Sequence, residues 1–220
     1  MERREDVIPL SNGDSVDCTW LIPSDALALL VFSHGAGADH RHASMEAIAE
    51  HLGGQGLATL RYNFPFMQAG KRRVDSVDVA TATIAEAYAY AQRTLPLPTF
   101  LAGHSFGGRM NSHAQLAHHI DCLGIVFFSF PLHPPKKPAT QRAEHLPQLD
   151  LPMLFLSGTR DDLADAALLT DVVGSLDRAH LHWLETANHS YVTLKRTRTN
   201  PLTVFEEIAI ETRAFVAGLV

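Results

Sequence analysis

The chain has 220 residues, 46% of them hydrophobic and 19% charged. That composition supplies a buried core, excludes wholesale disorder, and suits one domain over residues 1–220. Lys and Arg number 18 against 24 Asp and Glu, a formal charge of −6, which argues against nucleic acid or an anionic membrane as partner.

Five of the first six residues are charged and lead into no apolar run, so no secretory leader is expected and the reading is cytoplasmic. Val7–Leu10, Asn12-Gly13 and Ser15–Ile22 read as a hairpin, because Asn-Gly tolerates the positive φ of a tight reversal. Ala26–Phe32 follows, apolar without alternation, as a strand buried on both faces is. It falls far short of the ~20 residues that span a bilayer. Met45, Ile48, Ala49 and Leu52 mark a helix, Leu57–Tyr62 a strand, and Val77, Ala80, Ile84, Ala87, Tyr88 and Ala91 a longer helix. Thr99–Ala102 is a third buried strand, followed by a helix to about His118 and a strand over Leu123–Phe130. The proline-dense Pro131–Pro138 reads as a surface loop, with one short helix around Gln141–Leu146. Strand Met153–Leu156 precedes a helix beginning near Ala164, for which Asp162 is the expected N-cap. His180–Leu184 alternates like an edge strand, and Phe205, Ile208, Ala209, Thr212, Phe215, Val216 and Leu219 stripe the last helix. Strands alternating with helices predict an α/β fold with a mainly parallel sheet. In such sheets ligands bind beyond the carboxyl ends of the strands.

Those ends carry chemistry. Gly103-His104-Ser105-Phe106-Gly107 is G-x-S-x-G between a strand and a helix, a turn so sharp that only residues lacking bulk fit two positions before and after the serine. Ser105 is the expected nucleophile, and the Phe106 N–H at the helix start is aimed at a developing oxyanion. A second donor is expected in Ser33-His34-Gly35-Ala36-Gly37, with Ala36 or Gly35 supplying it. Asp161, just past strand Met153–Leu156, is the candidate acid, and His189, between the last strand and the last helix, the candidate base. Gly35, Phe64 and His133 are candidate substrate contacts. The paired histidines His40/His42, His118/His119 and His180/His182 lack a completing ligand set, and neither Cys18 nor Cys122 has metal-finger spacing, so no metal is expected. No Walker-A or G-x-G-x-x-G pattern occurs, and no cofactor is expected.

The order Ser105, Asp161, His189 resembles that of the α/β-hydrolase superfamily, specifically its compact dienelactone-hydrolase-related branch. His34-Gly35-Ala36-Gly37, Arg61-Tyr62-Asn63-Phe64-Pro65, Gly103-His104-Ser105-Phe106-Gly107-Gly108-Arg109, Pro131-Leu132-His133-Pro134-Pro135 and Gly158-Thr159-Arg160-Asp161 are similar to small hydrolase-like proteins related to a non-specific-lethal chromatin-complex subunit. Asn188 departs from the pattern, standing where an acidic residue is expected before the histidine. The resemblance implies an α/β-hydrolase fold without a large cap domain and a serine hydrolase acting on a small acyl substrate. Its chromatin-subunit side implies the alternative, a hydrolase fold kept as a non-catalytic interaction module.

Overall fold

The computed structural model describes residues 1–220. Strands β1 (Glu2–Pro9) and β2 (Ser15–Ile22) form the expected antiparallel hairpin, turning at Gly13 with φ 90°. β1 reaches back to Glu2, further than its apolar residues suggest. It is an edge strand, and its charged stretch Arg3–Asp6 pairs with β2 through the backbone while guarding the edge against other chains.

β3 (Ala28–Ser33), β4 (Leu57–Tyr62), β5 (Thr99–His104), β6 (Ile125–Phe128), β7 (Met153–Gly158) and β8 (Ala179–Leu184) run parallel, and β2 pairs antiparallel with β4. Every residue of β3, β4, β6 and β7 is buried, which is why these runs show no polar alternation. The sheet order is β1-β2-β4-β3-β5-β6-β7-β8.

Helices α1 (Ala43–Gly54) and α6 (Val204–Ala217) cover one face around Leu30, Phe32, Leu52 and Ile208. On the other face, α2 (Pro65–Gln68), α3 (Val77–Thr94), α4 (Phe106–His118) and α5 (Ala166–Gly174) pack around Val31, Ile84, Met110, Phe127 and Leu169. The chain winds from β3 to β4 in one direction and returns to place β5 on the other side of β3. The crevice at this reversal opens at the carboxyl ends of β3 and β5, where Ser33-His34-Gly35 and Ser105 lie.

Two local expectations change. The helix after β7 begins at Ala166 and is capped by Asp165, whose Oδ1 accepts from the N–H groups of Ala167 and Leu168. Asp162 caps nothing, because Leu163 and Ala164 remain outside the helix. The helix expected near Gln141–Leu146 is a pair of 3₁₀ turns, Gln141–Ala143 and Leu146–Gln148, with Pro147 unable to continue a longer element. The β6–β7 connection therefore carries no cap domain. No helix of the chain is long and apolar enough to cross a membrane.

Candidate active site

β5 ends at His104 and α4 begins at Phe106, so Ser105 alone makes the turn, at φ 51° and ψ −114°. A side chain rarely adopts this conformation, at a cost of about 1–3 kcal/mol. The backbone is pinned on both sides: Ser105 N–H donates to Phe128 O at 2.9 Å, and Ser105 O accepts from Arg109 N–H at 3.1 Å. The flanking glycines are required by close approach. A Cβ on Gly103 would lie 2.4 Å from Gly108 N, and one on Gly107 2.6 Å from both His34 O and Ser33 Cβ.

The loops after β7 and β8 complete the group. His189 Nδ1 lies 2.8 Å and 3.0 Å from the two Asp161 carboxylate oxygens, and His189 Nε2 lies 2.9 Å from Ser105 Oγ. An ionised carboxylate only accepts, so Nδ1 carries the proton and Nε2 is left to accept from the serine hydroxyl. The Asp161 side chain is fully buried, and its Oδ1 also accepts from Leu163 N–H at 2.8 Å. Gly158 makes the approach of the two loops possible, since a Cβ there would sit 2.2 Å from Ala187 O. Asn188 has a turn role. Its Oδ1 accepts from the N–H groups of Ser190 and Val192, folding the loop that presents His189.

The β3 loop faces this group. Neither Phe106 N–H nor Ala36 N–H has an acceptor within the chain, and Ala36 is exposed. Gly35 is buried, and a Cβ there would lie 2.8 Å from His104 Nδ1 and 3.5 Å from Ser105 Cβ. His34 braces the loop: its Nε2 accepts from Phe64 N–H at 3.0 Å while Nδ1–H donates to Gly35 O at 2.8 Å. Burial pushes the His34 pKa down to about 4, keeping the ring neutral for both bonds.

Phe64 is wholly buried, with its ring against His34, Phe66 and Phe106. His133 is buried too, and both of its ring nitrogens are engaged. Nδ1–H donates to Pro134 O, and Nε2 accepts from Asp165 N–H at 2.8 Å, tying the loop after β6 to the start of α5. The structure thus joins Ser105, Asp161 and His189, sets Phe106 and Gly35 beside Ser105 with Ala36 exposed next to Gly35 on the same loop, and holds Phe64 and His133 in packing and loop contacts. One histidine of each sequence pair is used elsewhere, His40 on Asn63, His118 on Thr81 and His182 on Glu207. No three His, Cys, Asp or Glu side chains converge as a metal site.

Two residues of the site escape sequence reasoning. His34 is one. His104 is the other: its Nε2–H donates to His189 O at 3.2 Å, and its ring lies between those of His189 and Tyr191. Burial, reinforced by His189, lowers its pKa to about 4. Its only sequence signal is its place in the open position of G-x-S-x-G, before the serine.

Residues 26–217 match the family described as Alpha/beta hydrolase domain. Among solved structures, a dienelactone hydrolase from Anabaena variabilis superposes with a TM-score of 0.79 at 18% identity, covering 100% of this chain and 98% of that one. Est1E from Butyrivibrio proteoclasticus with bound ferulic acid gives 0.77 at 15%, covering 97% and 98%. A serine hydrolase without a lid from Xanthomonas campestris gives 0.71 at 16%, covering 99% and 93%. The solved structures share the fold of this chain, and with the family match covering most of its length the chain belongs to the alpha/beta hydrolase family.

Proposed function

We propose that this hydrolase cleaves an ester, thioester or similarly activated acyl bond through an acyl-serine intermediate. The observation that carries the reading is the chain of contacts from Asp161 through His189 to Ser105, at 2.8 Å and 2.9 Å. Ser105 Oγ attacks the carbonyl carbon while His189 Nε2 takes its proton, and Asp161 holds the imidazole tautomer and stabilises the imidazolium. The carbonyl oxygen, now negative, is received by the N–H groups of Phe106 and Ala36, which have no competing acceptor. His189 then returns the proton to the leaving alcohol or thiol, and water, activated by the same imidazole, releases the acid. The esterase and hydrolase names of the structural neighbours support this reading.

Hydrolysis of p-nitrophenyl butyrate by the wild type and by Ser105→Ala tests it. Loss of a serine nucleophile lowers kcat by on the order of 10⁶ in a comparable triad, so the variant is expected to be inactive while keeping its circular dichroism spectrum. A folded variant retaining more than a few per cent (roughly) of the rate would remove Ser105 from the mechanism.

A further inference from the structure

The two donors offered to an oxyanion stand on different elements, Phe106 N–H on α4 and Ala36 N–H on the loop after β3. One oxygen can use both only if the loop keeps its place against the helix to within about 0.5 Å. The loop does little to hold itself. Within Gly35–Asp39 the one internal backbone hydrogen bond, Ala38 N–H to Gly35 O, is a long 3.3 Å, and Ala36, Gly37 and Asp39 are exposed.

Its support comes from the neighbouring strand, where four consecutive residues, Arg61-Tyr62-Asn63-Phe64, each bond to it. Tyr62 is the register partner of Ser33, and its hydroxyl donates to Ser33 Oγ at 2.7 Å. Ser33 Oγ spends its own proton on Asn111 Oδ1 of α4, at 2.9 Å, so this buried chain of three side chains ties β4 through the base of the loop to the helix that follows Ser105. Phe64 N–H donates to His34 Nε2 at 3.0 Å. At the far end of the loop, Asn63 Oδ1 accepts from both His40 N–H at 3.1 Å and His40 Nδ1–H at 2.9 Å, while Arg61 Nη1 donates to His40 O at 2.9 Å. Gln68 of α2 fixes which way the Asn63 amide faces, its Oε1 accepting from Asn63 Nδ2 at 3.0 Å. The loop is therefore tied down at Ser33-His34 and again at His40. Gly35, at the near end of the span between, is the residue whose Cβ would come within 3.5 Å of Ser105 Cβ.

Arg61 is a poor investment for stability alone. It is 1% exposed, its Nε has no partner, and the Glu46 carboxylate lies 3.8 Å from its Nη1. Desolvation of such a cation offsets most of what its contacts return. What it does secure is one carbonyl of the loop.

We propose that Arg61, Tyr62, Asn63 and Phe64 are positioning residues for the oxyanion loop, holding Ser33–His40 against α4 so that Ala36 N–H and Phe106 N–H converge on one oxygen. The inference rests on the acyl-transfer reading and adds to it residues that set the transition-state geometry without touching substrate.

Asn63→Ala removes the acceptor of both His40 protons, and Asn63→Asp keeps an acceptor in the same place. On p-nitrophenyl butyrate, Asn63→Ala is expected to lower kcat by about 10²-fold, the scale of a reacting group misplaced by about 1 Å, with KM within about twofold of wild type. Asn63→Asp should regain about tenfold of that loss. Affinity for butylboronic acid, whose tetrahedral serine adduct sets an oxygen where the oxyanion forms, should fall in step with kcat/KM across the three proteins. Arg61→Met, which replaces a buried cation by an apolar side chain of similar length, should fold and lose about tenfold in kcat, and Arg61→Lys should recover part of it. A folded Asn63→Ala or Arg61→Met with wild-type kcat overturns the proposal, as does a fall in kcat that leaves boronate affinity untouched. If wild type hydrolyses no ester, the acyl-transfer reading fails by itself, and amide hydrogen exchange over residues 35–39 decides whether the loop is held from β4. Exchange about tenfold faster in Asn63→Ala than in wild type, the scale of a lost hydrogen bond, upholds the anchoring, and equal exchange overturns it.

Discussion

Asp161 and Asp162 are neighbours in sequence and opposites in environment. Asp161 is buried and holds His189 with both oxygens, whereas Asp162 is exposed and its side chain makes no hydrogen bond or ion pair. Asp161→Asn is expected to lower kcat by ~10⁴, since an amide can impose the wrong imidazole tautomer. Asp162→Asn should stay close to wild type. Steady-state kinetics of the two variants on p-nitrophenyl butyrate checks this, and the reverse ranking would transfer the acid role. Ser105, Asp161 and His189 were legible because each is a reactive residue type just past a strand-like run, in an order that few folds share. His34 and His104 were not, because with 13 histidines in the chain residue type alone discriminates nothing. What distinguishes these two is a backbone partner from a distant loop, with full burial for His34, and neither leaves a local trace.

At the scale of elements, the parallel strands were readable because burial on both faces removes polar alternation. Boundaries were less so. Leu123–Phe130 shortens to Ile125–Phe128, with Ser129 leaving the strand at φ 53°. The start of α5 was misplaced because Asp161, Asp162 and Asp165 are equally good caps by type, and tertiary contact decides among them. Asp165→Ala should therefore lower stability by about 1 kcal/mol, read as a lower urea midpoint, with kcat unchanged. A midpoint equal to wild type would deny the cap. Gly158→Ala tests a different joint. Its methyl would meet Ala187 O at 2.2 Å and push away the loop that carries His189. We expect kcat to fall more than the urea midpoint does. Wild-type kcat would show that the β7 and β8 loops tolerate separation.

For the whole molecule, the sheet order places four loops, after β3, β5, β7 and β8, at one edge, and the thin β6–β7 connection leaves that edge without a lid. kcat/KM should accordingly be highest on short acyl chains in a p-nitrophenyl series from acetate to palmitate, because no deep apolar tunnel is built. A steady rise toward palmitate would contradict the open site. Acid should weaken the fold. His34 and His104 titrate near 4 when folded against 6.5 ordinarily, so the unfolded chain binds more protons between those values. Their contribution is complete above about pH 6.5 and is lost as pH falls through about 4. The urea midpoint should drop between about pH 7 and about pH 5, less steeply in His104→Gln, and a flat profile would mean that these rings are not buried neutral. If this assembly makes Ser105 a nucleophile, a fluorophosphonate should modify it, and intact-protein mass spectrometry after such treatment reads the modification. One adduct per chain is expected, on Ser105 and absent from Ser105→Ala. A folded wild-type protein that stays unlabelled would contradict it and leave a hydrolase fold that serves as an interaction module.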